Sequence, residues 1–144
     1  MSGSQSPAEI KQHIQEGNLD QAIAMAKGRQ TRSIHDHELH VAWADVLEEM
    51  GLVDDVILEL NLAIRDDPNR LEIYSRLAEI FMDQGVPHRA AKVYSALIER
   101  EPQEPKHYEG LAQALKEAKE LNKAREVYKT ALEKTGDSRF NALI

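Results

Sequence analysis

Apolar positions along the chain fall at helical spacing almost from end to end. Over residues 71–81, Leu71, Tyr74, Leu77, Ala78 and Phe81 recur at i, i+3 and i+4, which predicts one amphipathic helix. A second stripe follows in Ala90, Val93, Tyr94, Leu97 and Ile98. Asp67 reads as an N-cap with Pro68 in the first helical position, Gly85 as the left-handed residue that ends the helix, and Pro87 as the start of the next. Pro102 marks another break. The same reading along the whole chain predicts helices over 8–16, 20–29, 34–50, 53–66, 69–84, 87–101, 104–118 and 121–134. No strand is predicted.

These pairs of helices repeat. Gly17, Gly51 and Gly85 lie 34 residues apart, as do Tyr74 and Tyr108, Pro68 and Pro102, Ala78 and Ala112, and Tyr94 and Tyr128. Ala22, Val56, Ala90 and Ala124 form a four-member series in the same register. A fixed period in this range is the mark of stacked repeats, each too small to bury both sides of its own helices. The small residues in these columns let paired helices approach closely, and larger neighbours fill the space between.

At these residues the chain resembles the tetratricopeptide repeat family. The third unit matches the family pattern with Tyr74, Leu77, Ala78, Phe81, Gly85, Ala90, Tyr94 and Pro102, with Leu97 in a slot that usually holds Ala. The fourth matches with Tyr108, Leu111, Ala112, Ala124, Tyr128 and Ala131, with Lys119 in place of Gly. The second is looser, with His40, Trp43, Ala44, Leu47, Gly51, Leu60, Ala63 and Pro68, and the first keeps only Gly17, Leu19 and Ala22. The resemblance implies an all-α, right-handed superhelix of about four antiparallel helix pairs. The expected organisation is a disordered tail over 1–7, units over 8–33, 34–68, 69–102 and 103–136, and a truncated or packed tail over 137–144.

Composition narrows the function. Asp and Glu number 25 against 18 Lys and Arg, for a net charge of −7, which weighs against nucleic acid as a ligand. The absence of Cys removes thiolate nucleophiles and Cys-based zinc sites. The polar N-terminus carries no secretory signal and no stretch is apolar enough to span a membrane, so the expectation is a cytoplasmic protein without membrane insertion. No phosphate loop, nucleophile elbow, zinc-protease motif or calcium loop occurs, so no enzyme activity and no cofactor is expected. His35, Asp36, His37, Glu38 and His40 form one local cluster with metal-binding residue types. His40 occupies the slot of Tyr74 and Tyr108, however, and should pack between helices, so no metal site is assigned. Trp43 aligns with Leu77 and Leu111 and reads as core rather than as a ligand-stacking residue.

The family resemblance implies that the first helix of each unit lines a concave groove. The candidates there are Glu38, Asp45, Glu48 and Glu49 from the second unit, Glu72, Arg76, Glu79 and Asp83 from the third, and Glu109, Gln113 and Lys116 from the fourth. Residues 1–72 hold 6 basic and 14 acidic residues, and residues 73–144 hold 12 and 11, so acidity is concentrated early and mixed later. Some family members grip chaperone tails with a clamp of basic and amide residues. In one register its positions hold Pro7, Lys11, Ala42, Glu72 and Arg76, and in the other Val41, Asp45, Arg76, Lys106 and Gly110, so the clamp is missing. The expected function is a non-catalytic adaptor that binds a basic or amphipathic protein segment. Two alternatives stay open. The chain is then a regulatory or assembly segment of a larger protein, or a scaffold that self-associates, as a homodimer for example, through Val127, Phe140, Leu143 and Ile144 at its C-terminal edge.

Overall fold

The computed structural model describes residues 7–29 and 31–144. Eight α-helices follow one another among these residues: α1 (Pro7–Gln15), α2 (Leu19–Arg29), α3 (His37–Glu49), α4 (Val53–Asp66), α5 (Leu71–Asp83), α6 (Pro87–Arg100), α7 (Pro105–Glu117) and α8 (Leu121–Thr135). Short 3-10 segments occupy Thr31–Ser33 and Ser138–Leu143. No strand is present among the described residues. None of the described helices is long and apolar enough to cross a membrane. The N-terminal tail expected over 1–7 lies outside the described residues except for Pro7, which opens α1.

The chain divides into two compact units, one ending at Arg70 and the other starting at Leu71. In the N-terminal unit, α1 packs on α2 and α3, and α3 packs on α4. Its core joins Ile10, Ala22, Met25, Leu39, Trp43 and Val46, so Trp43 is a core residue as its repeat position predicts. In the C-terminal unit, α5 packs on α6, α6 on α7 and α7 on α8. Ala78, Ala90, Ala112, Ala124 and Ala131 are all buried there, as close helix approach requires.

Helix ends follow local chemistry. Asp36 accepts a hydrogen bond from the Leu39 N–H at 3.1 Å, so α3 starts at His37, three residues later than the apolar pattern predicts. Asp67 is not the N-cap of α5. It closes α4 instead, its N–H donating to the Ala63 carbonyl at 2.9 Å while its carboxylate receives Arg70 at 3.1 Å. Pro68 therefore lies in the connection, and α5 begins at Leu71. After α5, Gly85 takes φ +74° and the Val86 N–H donates to the Phe81 carbonyl. After α7 the same turn is made by Lys119 at φ +66°, with the Glu120 N–H donating to Leu115.

The C-terminal tail folds onto α8. Asp137 caps the 3-10 segment by accepting from the Arg139 N–H at 3.0 Å, and Phe140 is buried with its ring 6.0 Å from that of Tyr128. Phe140 therefore completes the core formed by Tyr108, Ala112, Tyr128 and Ala131. It is not the exposed self-association residue that the sequence pattern implies. Leu143 and Ile144 remain exposed, and Val127 is half-buried.

Candidate functional site

The candidate binding residues stand on the first helix of each helix pair. On α3, Glu38, Asp45, Glu48 and Glu49 share one face at helical spacing and are all exposed. Lys11 from α1 reaches Glu38 with an ion pair of 2.9 Å, and that hydrogen bond and charge hold the Glu38 carboxyl below its ordinary range.

In the C-terminal unit the corresponding face of α5 carries Glu72, Glu79 and Asp83, exposed, with Arg76 half-buried among them. On α7, Glu109 and Gln113 are exposed and Lys116 is half-buried. Two of these are already engaged. Arg139 of the tail lies 3.5 Å from Glu109, and the Lys116 ammonium sits 5.1 Å from the centre of the Tyr128 ring.

One further residue lies near this face, and the repeat pattern hides it as an ordinary core aromatic. The half-buried ring of Tyr94 on α6 lies against Gly110 on α7, where any Cβ would collide with it. Burial, together with the nearby Glu79 carboxylate, raises the Tyr94 hydroxyl above its ordinary pKa and keeps it protonated. The sequence signal for it was Gly110 itself, a glycine in a helix interior where nothing local calls for one. The Tyr94 phenol thus lies within electrostatic reach of the Glu79 carboxylate.

The histidines do not gather into one cluster, although His35 and His40 share Asp66. His35 pairs with Asp66 at 3.1 Å and His37 approaches Asp67 at 3.8 Å. His40 is buried, with one ring nitrogen 2.8 Å from Glu59 and the other 2.8 Å from the Ile34 carbonyl and 3.4 Å from Asp66. Among the described residues, no three His, Asp or Glu side chains are arranged to hold a metal ion.

A tetratricopeptide repeat family model matches residues 75–139, which covers most of the C-terminal unit. Residues 75–139 therefore match tetratricopeptide repeat sequence. Solved structures of MamA proteins are similar to it along most of its length. One has a TM-score of 0.64 at 19% identity, covering 92% of this chain and 72% of that one. A second has a TM-score of 0.62 at 20% identity, with 88% and 74% covered. A third, MamA AMB-1, has a TM-score of 0.62 at 16% identity, with 95% and 75% covered. At such identities the likeness is one of fold. No curated protein matches the chain. Repeats of this family bind proteins and peptides, and the match over residues 75–139 supports a protein-interaction role for that segment.

Proposed function

We propose that this tetratricopeptide repeat protein is a non-catalytic adaptor that binds a basic or amphipathic segment of a partner protein on the acidic faces of its first helices. The observation that carries the reading is a set of carboxylates repeated in register. Glu38 and Glu72, Asp45 and Glu79, and Glu49 and Asp83 each lie 34 residues apart, and all six are exposed. Core columns repeat because packing demands it, whereas an exposed column is free to vary. Acidic repetition on the exposed side therefore supports a ligand with matching positive charges. The repeat boundaries that go with this reading are 34–68, 69–102 and 103–136.

The test is charge reversal of Asp45, Glu48 and Glu79 to Lys. A Lys- and Arg-bearing amphipathic peptide should bind the native chain, bind more weakly as salt rises, and lose at least roughly tenfold in affinity on the triple variant. Equal binding to both proteins, or a preference for an acidic peptide at these positions, would overturn the reading.

A further inference from the structure

A second surface in the C-terminal unit has the opposite character. Between α6 and α8 runs an open groove of about 860 Å³. Its floor is apolar or small, with Leu111 and Leu115 from α7, Ala91 and Ser95 from α6, and Val127 from α8. A further recess of about 280 Å³, sharing Ser95, Leu111 and Val127, carries it on to Ile98 and Thr130. From His88 to Ile98 the trough follows α6 for about 15 Å at the ordinary helical rise.

The rim is cationic. Lys92 stands on the α6 wall, and Lys123, Arg125 and Lys129 on the α8 wall. Two acids share the rim, and each is already taken, Glu120 by Lys123 at 2.8 Å and Glu126 by Lys129 at 3.2 Å. Lys92 and Arg125, on facing walls, have no acidic partner among the described residues. An apolar floor between two unmatched cations calls for a ligand that is apolar in the middle and acidic at its edges.

The N-terminal unit provides an internal comparison. Two repeat periods earlier, the same place in the fold holds a recess of about 310 Å³ between α2 and α4. Ile23 stands there in place of Ala91 and Trp43 in place of Leu111, so larger side chains fill the space. Asp55 replaces Lys123, and Ala24, Ile57 and Asn61 take the positions of Lys92, Arg125 and Lys129. Neither the opening of the groove nor its charge is therefore imposed by the repeat. Both arise from side chains particular to the C-terminal unit.

We propose that the α6–α8 groove is a docking site for an acidic amphipathic helix of a partner protein, separate from the acidic faces of the first helices. A helix is the form that fits. Both walls are helices whose backbone groups are already bonded, so an extended segment would find no ladder partners, whereas a helix satisfies its own backbone. Its apolar stripe lies on Leu111, Leu115 and Val127, and its flanking Asp and Glu side chains meet Lys92 and Arg125.

The test uses the full chain and a labelled helical peptide of about 16 residues, with Leu at i, i+3, i+4 and i+7 flanked by Glu. Its partner control has Lys at every Glu position. Fluorescence anisotropy should show binding of the Glu peptide that weakens with salt, and at least roughly tenfold weaker binding of the Lys peptide. The exposed pair Lys92→Glu and Arg125→Glu should cost at least roughly tenfold in affinity for the Glu peptide. Ala91→Ile, which copies the closed N-terminal recess, should weaken it without any change of charge. The triple variant of Asp45, Glu48 and Glu79 should bind the Glu peptide as the native chain does. The proposal is overturned by no binding up to ~1 mM, by equal binding of the two peptides, or by indifference to both groove variants. It is also overturned if the native chain forms a dimer that the charge-reversed groove abolishes, since the occupant would then be a second copy.

Discussion

His40 shows how one substitution reshapes a repeat without breaking it. Its counterpart Tyr108 donates its hydroxyl to the Pro102 carbonyl at 2.6 Å, six residues upstream. His40 makes the corresponding bond to Ile34, also six residues upstream, and its second ring nitrogen adds a bond to the buried Glu59, which stands where Val127 stands two repeats later. The packing role was legible in the repeat register, but the partner was not, because nothing local links positions 40 and 59. Burial disfavours the charged imidazole, but the bonds to Glu59 and Ile34 and the charges of Glu59 and Asp66 outweigh it, so the His40 pKa is raised. A raised folded-state pKa gives stability that is complete below the ordinary value of about 6.5 and is lost as pH rises through the folded value. Asp66 acts in the opposite sense. Its burial raises its pKa, but the bonds from Arg65 and His35 overcome this and lower it, so its contribution is lost as pH falls below the ordinary carboxylate range. Thermal melting should therefore be highest at mildly acidic pH and fall toward alkaline pH. His40→Tyr alone would strand the Glu59 carboxylate and destabilise by about 3 kcal/mol. The pair His40→Tyr with Glu59→Val should recover most of that loss and flatten the alkaline decline. A double variant no more stable than the single one would show that Glu59 is satisfied some other way.

Lys119 is the second residue that departs from its column. It adopts the left-handed backbone that Gly17, Gly51 and Gly85 adopt, and a side chain there costs energy that glycine avoids. Lys119→Gly should stabilise the chain by up to about 1 kcal/mol once the extra freedom of glycine in the unfolded state is set against the relief. A urea midpoint that stays put or falls would refute the strain.

At the scale of helices, most boundaries were legible because a cap, a proline or a left-handed turn marks them. α4 occupies the span its apolar pattern predicts, and α6 differs from its prediction by one residue. The start of α5 was misread because Asp67 and Pro68 make an N-cap signature while the Asp67 N–H bonds backward to α4, and sequence alone does not rank the two roles. The tail was ambiguous for a similar reason. Its Asp137 cap was visible, whereas the burial of Phe140 depends on the space left beside Tyr128 by the packing of α7 and α8. The small-residue columns were legible because close helix approach admits only small side chains. Ala90 and Ala124 are buried to within 2% of full burial, so Leu at either position should overpack the helix pair and cost roughly 1–3 kcal/mol, read as a melting point several degrees lower. The same change at the exposed Gln113 should do almost nothing, and equal effects at the two kinds of site would mean the register is wrong.

Across the molecule, charge is distributed by unit and by face. Acidic residues dominate the first half, and the C-terminal unit carries both an acidic face on α5 and cations on the rim of the α6–α8 groove. The exposed acidic residues were legible in the sequence because they follow three columns of one helix type. The cationic groove was not, since Lys92 and Arg125 come from different helices and face each other only once α6, α7 and α8 have packed. The position of Tyr94 was hidden similarly, through a contact with Gly110 on a neighbouring helix. Tyr94→Phe removes the phenol donor beside Glu79 and keeps the ring that fills the space over Gly110. It should leave the melting point within about 1 °C, since removing one half-buried hydroxyl while keeping the ring changes folding little. It should nonetheless weaken a bound Lys- and Arg-bearing peptide by a few-fold, the value of one hydrogen bond. The Glu-bearing peptide should not register the change, because Tyr94 does not line the α6–α8 groove. If both peptides weaken equally, Tyr94 acts through the packing of α6 against α7, and its place near the acidic face is wrong.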